Sequence, residues 1–284
     1  MSVLGTSTII PLSPTTVKTA RQKLTISPCE TGPHSMPVVT RNRDPQPIFL
    51  SVVTPAYNEE ANLAQLLAEI QTALQDLTQA WECLVVDDCS TDDSLALLRS
   101  QKEIHPELRI LRMQRRSGQT AAMDVGIRRS RGRFIATLDA DLQNDPKELP
   151  RLLELVTSGQ CDMATGWRVE RQDNWLRRLS TRVANGVRNR LTQEQIHDSG
   201  CCLRVFTRDA VSRVKMFNGM HRFLPTLVKM EGYRVLETPV THRPRVAGVA
   251  NYGVSNRALR GLRDTFAVRW MQQRVVRTDA DEIE

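Results

Sequence analysis

From Ile48 the chain alternates short apolar runs with amphipathic ones, and this alternation restricts it to one class of fold. IFLSVVT reads as a strand and PAYNEE as a turn. Ala61 to Leu77 reads as a helix, with apolar residues at Leu63, Leu66, Leu67, Ile70 and Leu74. WECLVVDD is a second strand, Thr91 to Ser100 a second helix and LRILRM a third strand. SGQTAAMDVGIRRS, RFIATLDAD and PKELPRLLELVTSG continue the series as helix, strand and helix. Strand–helix units with short connections predict an α/β fold: a doubly wound, mostly parallel sheet with helices on both faces. No GxGxxG follows the first strand, which argues against a dinucleotide dehydrogenase.

The fourth strand ends in chemistry. Phe134 to Leu138 is apolar and gives way at once to Asp139, Ala140, Asp141, Leu142 and Gln143. A buried parallel strand delivers acidic groups to its carboxyl edge in this way, and ligands of open sheets bind at that edge. If strand geometry persists, Asp139, Asp141 and Gln143 share a face and converge as three oxygen donors. Such a set suits a hard divalent cation, Mg²⁺ or Mn²⁺, that bridges to phosphate oxygens. A lone D-x-D triplet is more often a solvated turn after a strand, so the flanking sequence has to decide.

Residues 1–47 are rich in Ser, Thr and Pro without sustained periodicity, and are expected to form a disordered extension. They lack acidic residues before Glu30, as transit peptides do, yet show neither an arginine-rich amphipathic face nor a signal-peptide core. No apolar run approaches the roughly 18 residues that span a bilayer. Six cysteines form no C-x-x-C pair, and several lie in strand-like runs, which points to reduced, buried thiols in the cytosol and to neither zinc nor disulfides.

After Gly166 the alternation stops and arginines accumulate. Between Arg171 and Arg277, 21 Lys and Arg face seven Asp and Glu, an excess of 14 in a chain whose net charge is +7. Anionic partners are implied: phosphates, acidic lipid or nucleic acid. Two stretches here are amphipathic. Leu176, Leu179, Val183, Val187 and Leu191 line one, and Leu259, Leu262, Phe266 and Trp270 line the other, from about Val254 to Val276, each among arginines. Either both pack on the domain and solvate their arginines, or they lie in a membrane interface, where Trp and Arg favour the headgroup layer.

Taken together, TPAYNEE, VVDDCSTD, GQTAAM and LDADLQNDP, followed in order by TGWR, RRLSTRVAN, DSGCCLRVF, HRFLP and HRPRVAGVANYG, resemble the inverting family 2 glycosyltransferases of the GT-A fold. The likeness is greatest to the polyprenyl-phosphate enzymes of the dolichol-phosphate mannosyltransferase type, and it runs from Ile48 into the 270s. The resemblance implies a GT-A domain over 48–253, with a basic amphipathic helix and acidic tail over 254–284. It implies transfer of a sugar from a GDP- or UDP-sugar to a polyprenyl phosphate, by a protein peripheral to the cytoplasmic membrane face and needing Mg²⁺ or Mn²⁺ at Asp139, Asp141 and Gln143. It assigns Pro55, Ala56, Tyr57, Glu59, Asp87, Asp88 and Gly118 to the nucleotide sugar. Asp87 and Asp88 admit a second reading as helix-capping groups ahead of Ser94.

On the acceptor side the chain departs from that pattern. Enzymes of this type commonly carry Ser-Lys before the tyrosine of R..G…Y, where Ala250 and Asn251 stand here. Arg168, Arg178, Arg204 and Arg245 remain at matching or nearby positions to hold a phosphate. Many relatives also have two spanning helices after the catalytic domain, which do not follow here, so an anionic membrane surface, a membrane-protein partner or a homo-oligomer is implied. Three rivals stay open: another acceptor (lipid, glycan or protein), a non-catalytic sugar-nucleotide or membrane-binding module, and nucleic-acid binding. The last is disfavoured because only three Tyr are available for stacking.

Overall fold

The computed structural model describes residues 47–168, 186, 188–192, 196–244 and 254–275, the last stretch with side chains from 261 onward. The N-terminal extension up to 46, Arg178, Arg245, Ala250, Asn251 and most of the first arginine-rich amphipathic stretch lie outside these residues.

The expected alternation forms in order: β1 (Leu50–Ala56), α1 (Glu60–Ala73), β2 (Trp81–Asp87), α2 (Ser94–Ile104), β3 (Leu108–Arg112), α3 (Gln119–Arg129), β4 (Phe134–Thr137) and α4 (Leu149–Thr157). There follow β5 (Met163–Arg168), β6 (Arg204–Thr207), α5 (Arg208–Ser212), α6 (Leu224–Met230), β7 (Val235–Val240) and α7 (Val254–Gln272). The strands make one sheet in the order β3-β2-β1-β4-β6-β5-β7. Every pairing is parallel except those of β6, which runs antiparallel to both β4 and β5.

Side-chain alternation in the strands separates two cores. Val52, Cys83, Val85 and Ala136 face α1, α2 and α4 on one side of the sheet, while Val53, Leu84, Ile135 and Phe206 face α3, α5, α6 and α7 on the other. Helix α3 can approach β1 closely because residue 126 is glycine: a Cβ there would lie 2.3 Å from Val53 Cγ1. The chain winds outward from β1 through β2 to β3, then returns along α3 to β4 on the other side of β1. The strand order therefore reverses between β1 and β4, and open α/β sheets bind ligands outside the carboxyl ends of the strands at such a reversal.

Helix α7 buries Asp264, Thr265 and Val268 and exposes Leu262, Phe266 and Trp270. Among the described residues no helix is long and apolar enough to cross a membrane. Cys83, Cys89, Cys161, Cys201 and Cys202 are all free thiols.

Candidate active site

The carboxyl ends of β1, β2 and β4 bring the expected residues to one edge. Pro55 and Ala56 pair in register with Val86 and Asp87, and Asp88 N–H donates to the Ala56 carbonyl at 2.9 Å. Tyr57 follows directly, with the Arg116 guanidinium 3.8 Å from its ring centroid. Backbone geometry marks the same edge. The non-glycine residues with left-handed φ among those described are Asn58, Cys89 and Leu142, one after each of these three strands. Local strain of this kind persists where surrounding structure enforces it, and it clusters at functional sites.

Strand geometry does not persist through the acidic segment. Strand β4 ends at Thr137, residues 140–141 form a turn, and Leu142 takes φ 59°. Convergence by simple alternation is therefore not what the chain does. Asp139 and Asp141 still interact through their charges: burial first, and then the Asp141 carboxylate, pushes the Asp139 carboxyl up to about 6. The Cys202 thiol, Arg204 and Arg168 oppose that shift. Gln143 takes part through its backbone, its N–H donating to Asp141 Oδ1 at 3.3 Å and its carbonyl accepting from Arg243 N–H at 2.9 Å. Asp141 is 9% exposed, more enclosed than an acidic turn at a strand end suggests.

This donor set fits a divalent cation of limited kind. Two carboxylates that repel each other at the mouth of a switch point are relieved by a cation between them. No group of three His, Cys, Asp or Glu able to hold a metal exists among the described residues. Mg²⁺ and Mn²⁺ accept such a site, because one or two carboxylates suffice where substrate phosphates and water complete the shell.

Asp87 and Asp88 part company. Asp87 accepts from Ser90 N–H at 3.1 Å with Oδ1, while its Oδ2 is buried without a hydrogen-bond partner, Arg112 Nε standing 3.9 Å away. Asp88 accepts from Ser117 N–H and Gly118 N–H, both at 2.7 Å, one on each oxygen. It thus closes the turn ahead of α3 and does not cap the helix that begins at Ser94. Gly118 has φ 89°, a conformation that favours glycine, and nothing lies within 4 Å of where a Cβ would be. Glu59, the residue before α1, accepts from Asn62 Nδ2 of its first turn at 2.6 Å.

The cations around the edge are engaged. Arg168 holds Asp198 through two nitrogens at 2.6 and 2.9 Å. Arg204 is fully buried and donates to the carbonyls of His221 at 2.7 Å and Ser199 at 3.2 Å. Sequence reasoning missed three further participants. Gln119 Nε2 donates to Asp139 Oδ1 at 2.7 Å, the Cys202 sulfur lies 3.6 Å from the same amide nitrogen, and the Thr120 hydroxyl, which accepts from Gly219 N–H, lies 2.6 Å from His221 Nδ1. Burial, then Arg222 and Arg204, pushes the His221 imidazole down to about 3, so the ring that meets the Thr120 hydroxyl is neutral. GQTAAM, DSGCCLRVF and HRFLP mark these segments, but their mutual contacts span 20 to 101 residues of sequence.

A doubly wound sheet with an acidic pair at the switch point and one antiparallel strand is the architecture of the GT-A glycosyltransferases, and solved members of that class superpose on it. A mannosyltransferase from Pyrobaculum calidifontis in complex with GDP-Man and Mn²⁺ matches with TM-score 0.58 at 22% identity, covering 78% of this chain and 65% of that one. Glucosyl-3-phosphoglycerate synthase from Mycobacterium tuberculosis in complex with Mn²⁺ and UDP matches with TM-score 0.60 at 16% identity, covering 81% and 82%.

The chain belongs to glycosyl transferase family 2, whose sequence profile matches residues 51–215. It is 37% identical over 243 residues to a dodecaprenyl-phosphate galacturonate synthase of Rhizobium johnstonii, covering 84% of this chain and 71% of that protein. It is 39% identical over 210 residues to an undecaprenyl-phosphate 4-deoxy-4-formamido-L-arabinose transferase of Pseudomonas aeruginosa, covering 73% of this chain and 62% of that protein.

Proposed function

We propose that this chain transfers a sugar, with inversion, from a GDP- or UDP-linked donor to a polyprenyl phosphate at the cytoplasmic face of a membrane. The observation that carries the reading is the Asp139–Asp141 pair at the β1/β4 switch point, in a chain whose curated relatives are named for polyprenyl-phosphate substrates or products.

Asp139 and Asp141 would hold Mg²⁺ or Mn²⁺, with Gln143 beside them. The ion supplies Lewis-acid stabilisation of the charge that builds on the diphosphate leaving group. Pro55, Ala56, Tyr57 and Glu59 line the nucleoside side, and the Oδ2 of Asp87, which has an ion-pair neighbour in Arg112 but no hydrogen bond, is an acceptor that a base N–H would satisfy. Gly118 lets the backbone turn beside the diphosphate. A phosphate monoester acceptor is already largely ionised near pH 7, so no strong general base is needed. Arg204, held by carbonyl oxygens, raises the positive potential from within, whereas Asp198 balances the charge of Arg168. Direct contact with the acceptor phosphate then falls to Arg178 and Arg245.

The membrane face of the reading rests on α7. Leu262, Phe266 and Trp270 are exposed at spacings of four, one helix face, and Arg190, Leu191 and Arg269 join Leu262 and Phe266 around a cavity of about 490 Å³. Apolar rings set among arginines match the headgroup layer of an anionic membrane.

Assay of GDP-mannose, UDP-glucose, UDP-GlcNAc and related donors against a short-chain polyprenyl phosphate, with metal and lipid, tests the proposal. Transfer from one donor that stops with excess EDTA is the expected result. Transfer only to a glycan, protein or other lipid would instead assign the chain to a different acceptor class, as the Ala250–Asn251 departure would then signify.

A further inference from the structure

The two carboxylates after β2 do different work, and the difference reaches the metal site. Asp88 is 3% exposed, and each of its oxygens already accepts a short backbone hydrogen bond, from Ser117 and from Gly118. Those N–H groups belong to the turn that launches α3. The first residue of α3 is Gln119, whose amide donates to Asp139 Oδ1 at 2.7 Å and lies 3.6 Å from Cys202 Sγ. Cys202 is fixed in turn, its carbonyl accepting from the buried Thr137 hydroxyl at 2.7 Å.

A carboxylate restrained on one oxygen presents the other in a fixed direction, which is how outer residues orient metal ligands. The geometry points to Gln119 as the residue that sets the orientation of the Asp139 carboxylate, with Asp88 acting through the Ser117–Gly118 turn rather than on the nucleotide. Both are positioning residues. The chain of contacts is continuous: Asp88 fixes two N–H groups, they fix where α3 begins, and that places the Gln119 amide. Helix α3 also lies close against β1, where a Cβ at Gly126 would come within 2.3 Å of Val53 Cγ1. The inference rests on the metal reading of Asp139 and Asp141, and it revises the role that family resemblance gives to Asp88.

The test is Mn²⁺ binding in the presence of inorganic pyrophosphate, followed by the loss of the free-ion EPR signal. Pyrophosphate carries the diphosphate but neither base nor ribose, so a residue that touches only the nucleoside cannot affect this equilibrium. Gln119 is exposed, and Gln119→Ala keeps a strong helix former at the start of α3. Removing one hydrogen bond to a charged group typically weakens binding about 10-fold. Gln119→Ala and Asp88→Asn are each expected to weaken Mn²⁺ binding by about that factor, and the double variant no further than the weaker single, because the two act in series. Thermal melting identifies any variant that fails to fold, in which case Asp88→Glu, which keeps the charge and displaces both acceptor oxygens by one methylene, replaces Asp88→Asn.

Wild-type affinity in Asp88→Asn, or independent and additive losses in the double variant, would overturn the relay alone. Absence of Mn²⁺ binding by the wild-type protein would overturn the metal reading, and the relay with it.

Discussion

Replacing Phe266 and Trp270 together with serine separates the packing of α7 from its surface chemistry. These rings are 54% and 59% exposed, while the opposite face of the helix holds Val268 in the core and Asp264 within 3.5 Å of Arg222. Aromatic side chains present roughly 150–250 Å² each, so about 100 Å² per ring is still in water and available to a partner. At about 25 cal/mol per Å², withdrawing both exposed portions stabilises a bound state by roughly 5 kcal/mol. Half that amount, for rings lodged only in the headgroup layer, is about 2.5 kcal/mol and corresponds to a roughly 70-fold change in partition. Each arginine near an anionic surface adds about 1 kcal/mol, an attraction that salt screens. Co-sedimentation with phosphatidylglycerol vesicles at low salt should therefore fall at least tenfold in the double variant, and wild-type binding should decline with salt and be weak on phosphatidylcholine. The melting temperature should stay within about 0.5 kcal/mol equivalent of wild type, as for other surface changes. Equal binding of wild type to anionic and neutral vesicles at low salt would refute the interfacial reading, and a collapse in melting temperature would show that the rings are part of the core.

Asp141→Asn should abolish metal-dependent transfer while leaving the far-UV circular dichroism spectrum unchanged, since shape is kept and only charge is removed. Gly126→Ala should destabilise the protein by about 1–3 kcal/mol in urea unfolding, because the added methyl meets Val53 at 2.3 Å and Val86 at 3.1 Å. His221 has a folded pKa of about 3, below the 6.5 of an unfolded imidazole, so the unfolded state binds the proton first. Its contribution is complete above pH 6.5 and is lost as pH falls towards 3, by up to about 1.4 kcal/mol per pH unit. Between pH 7 and pH 5 the wild type should lose about 1–2 kcal/mol more than His221→Gln, read from urea midpoints; equal losses would show that burial and the Arg222 and Arg204 charges do not keep this ring neutral.

The first four strands and helices were legible because each is a local pattern: an apolar run, a turn residue, a period. The destination of Asp87 and of the Asp139 segment followed from the same patterns, since a parallel strand must end at the ligand edge. What failed was geometry set from afar. Leucine gives no local signal of a left-handed backbone, so the turn at Leu142 and the early end of β4 were hidden. The run Arg204–Thr207 is too short to announce its direction, and pairing with β4 at Ala136–Val205 decides that it runs antiparallel. The arginines of the motifs were visible as charges, but Asp198 and the carbonyls that occupy Arg168 and Arg204 were not. Neither was the Asp88–Gln119–Asp139 chain, whose links join residues 20 to 30 positions apart.

The reversed direction of β6 has a consequence for how such a protein can diversify. A parallel neighbour of β4 would bring its exit to the ligand edge, whereas β6 brings its entrance, so everything between Arg168 and Arg204 leaves and re-enters the sheet on the side where substrates gather. Length and sequence in that excursion can drift without disturbing a single rung between β4, β5 and β6, because its two anchors are set by the sheet and loop closure grows only slowly with length. The stretch free to vary nevertheless ends before Asp198, because Asp198 pairs with Arg168 while Cys202 holds the Thr137 hydroxyl and meets the Gln119 amide beside Asp139. Swapping residues 169–197 between members with different acceptors should accordingly change the recipient while leaving the donor behind, and an unchanged recipient would place acceptor choice elsewhere in the chain.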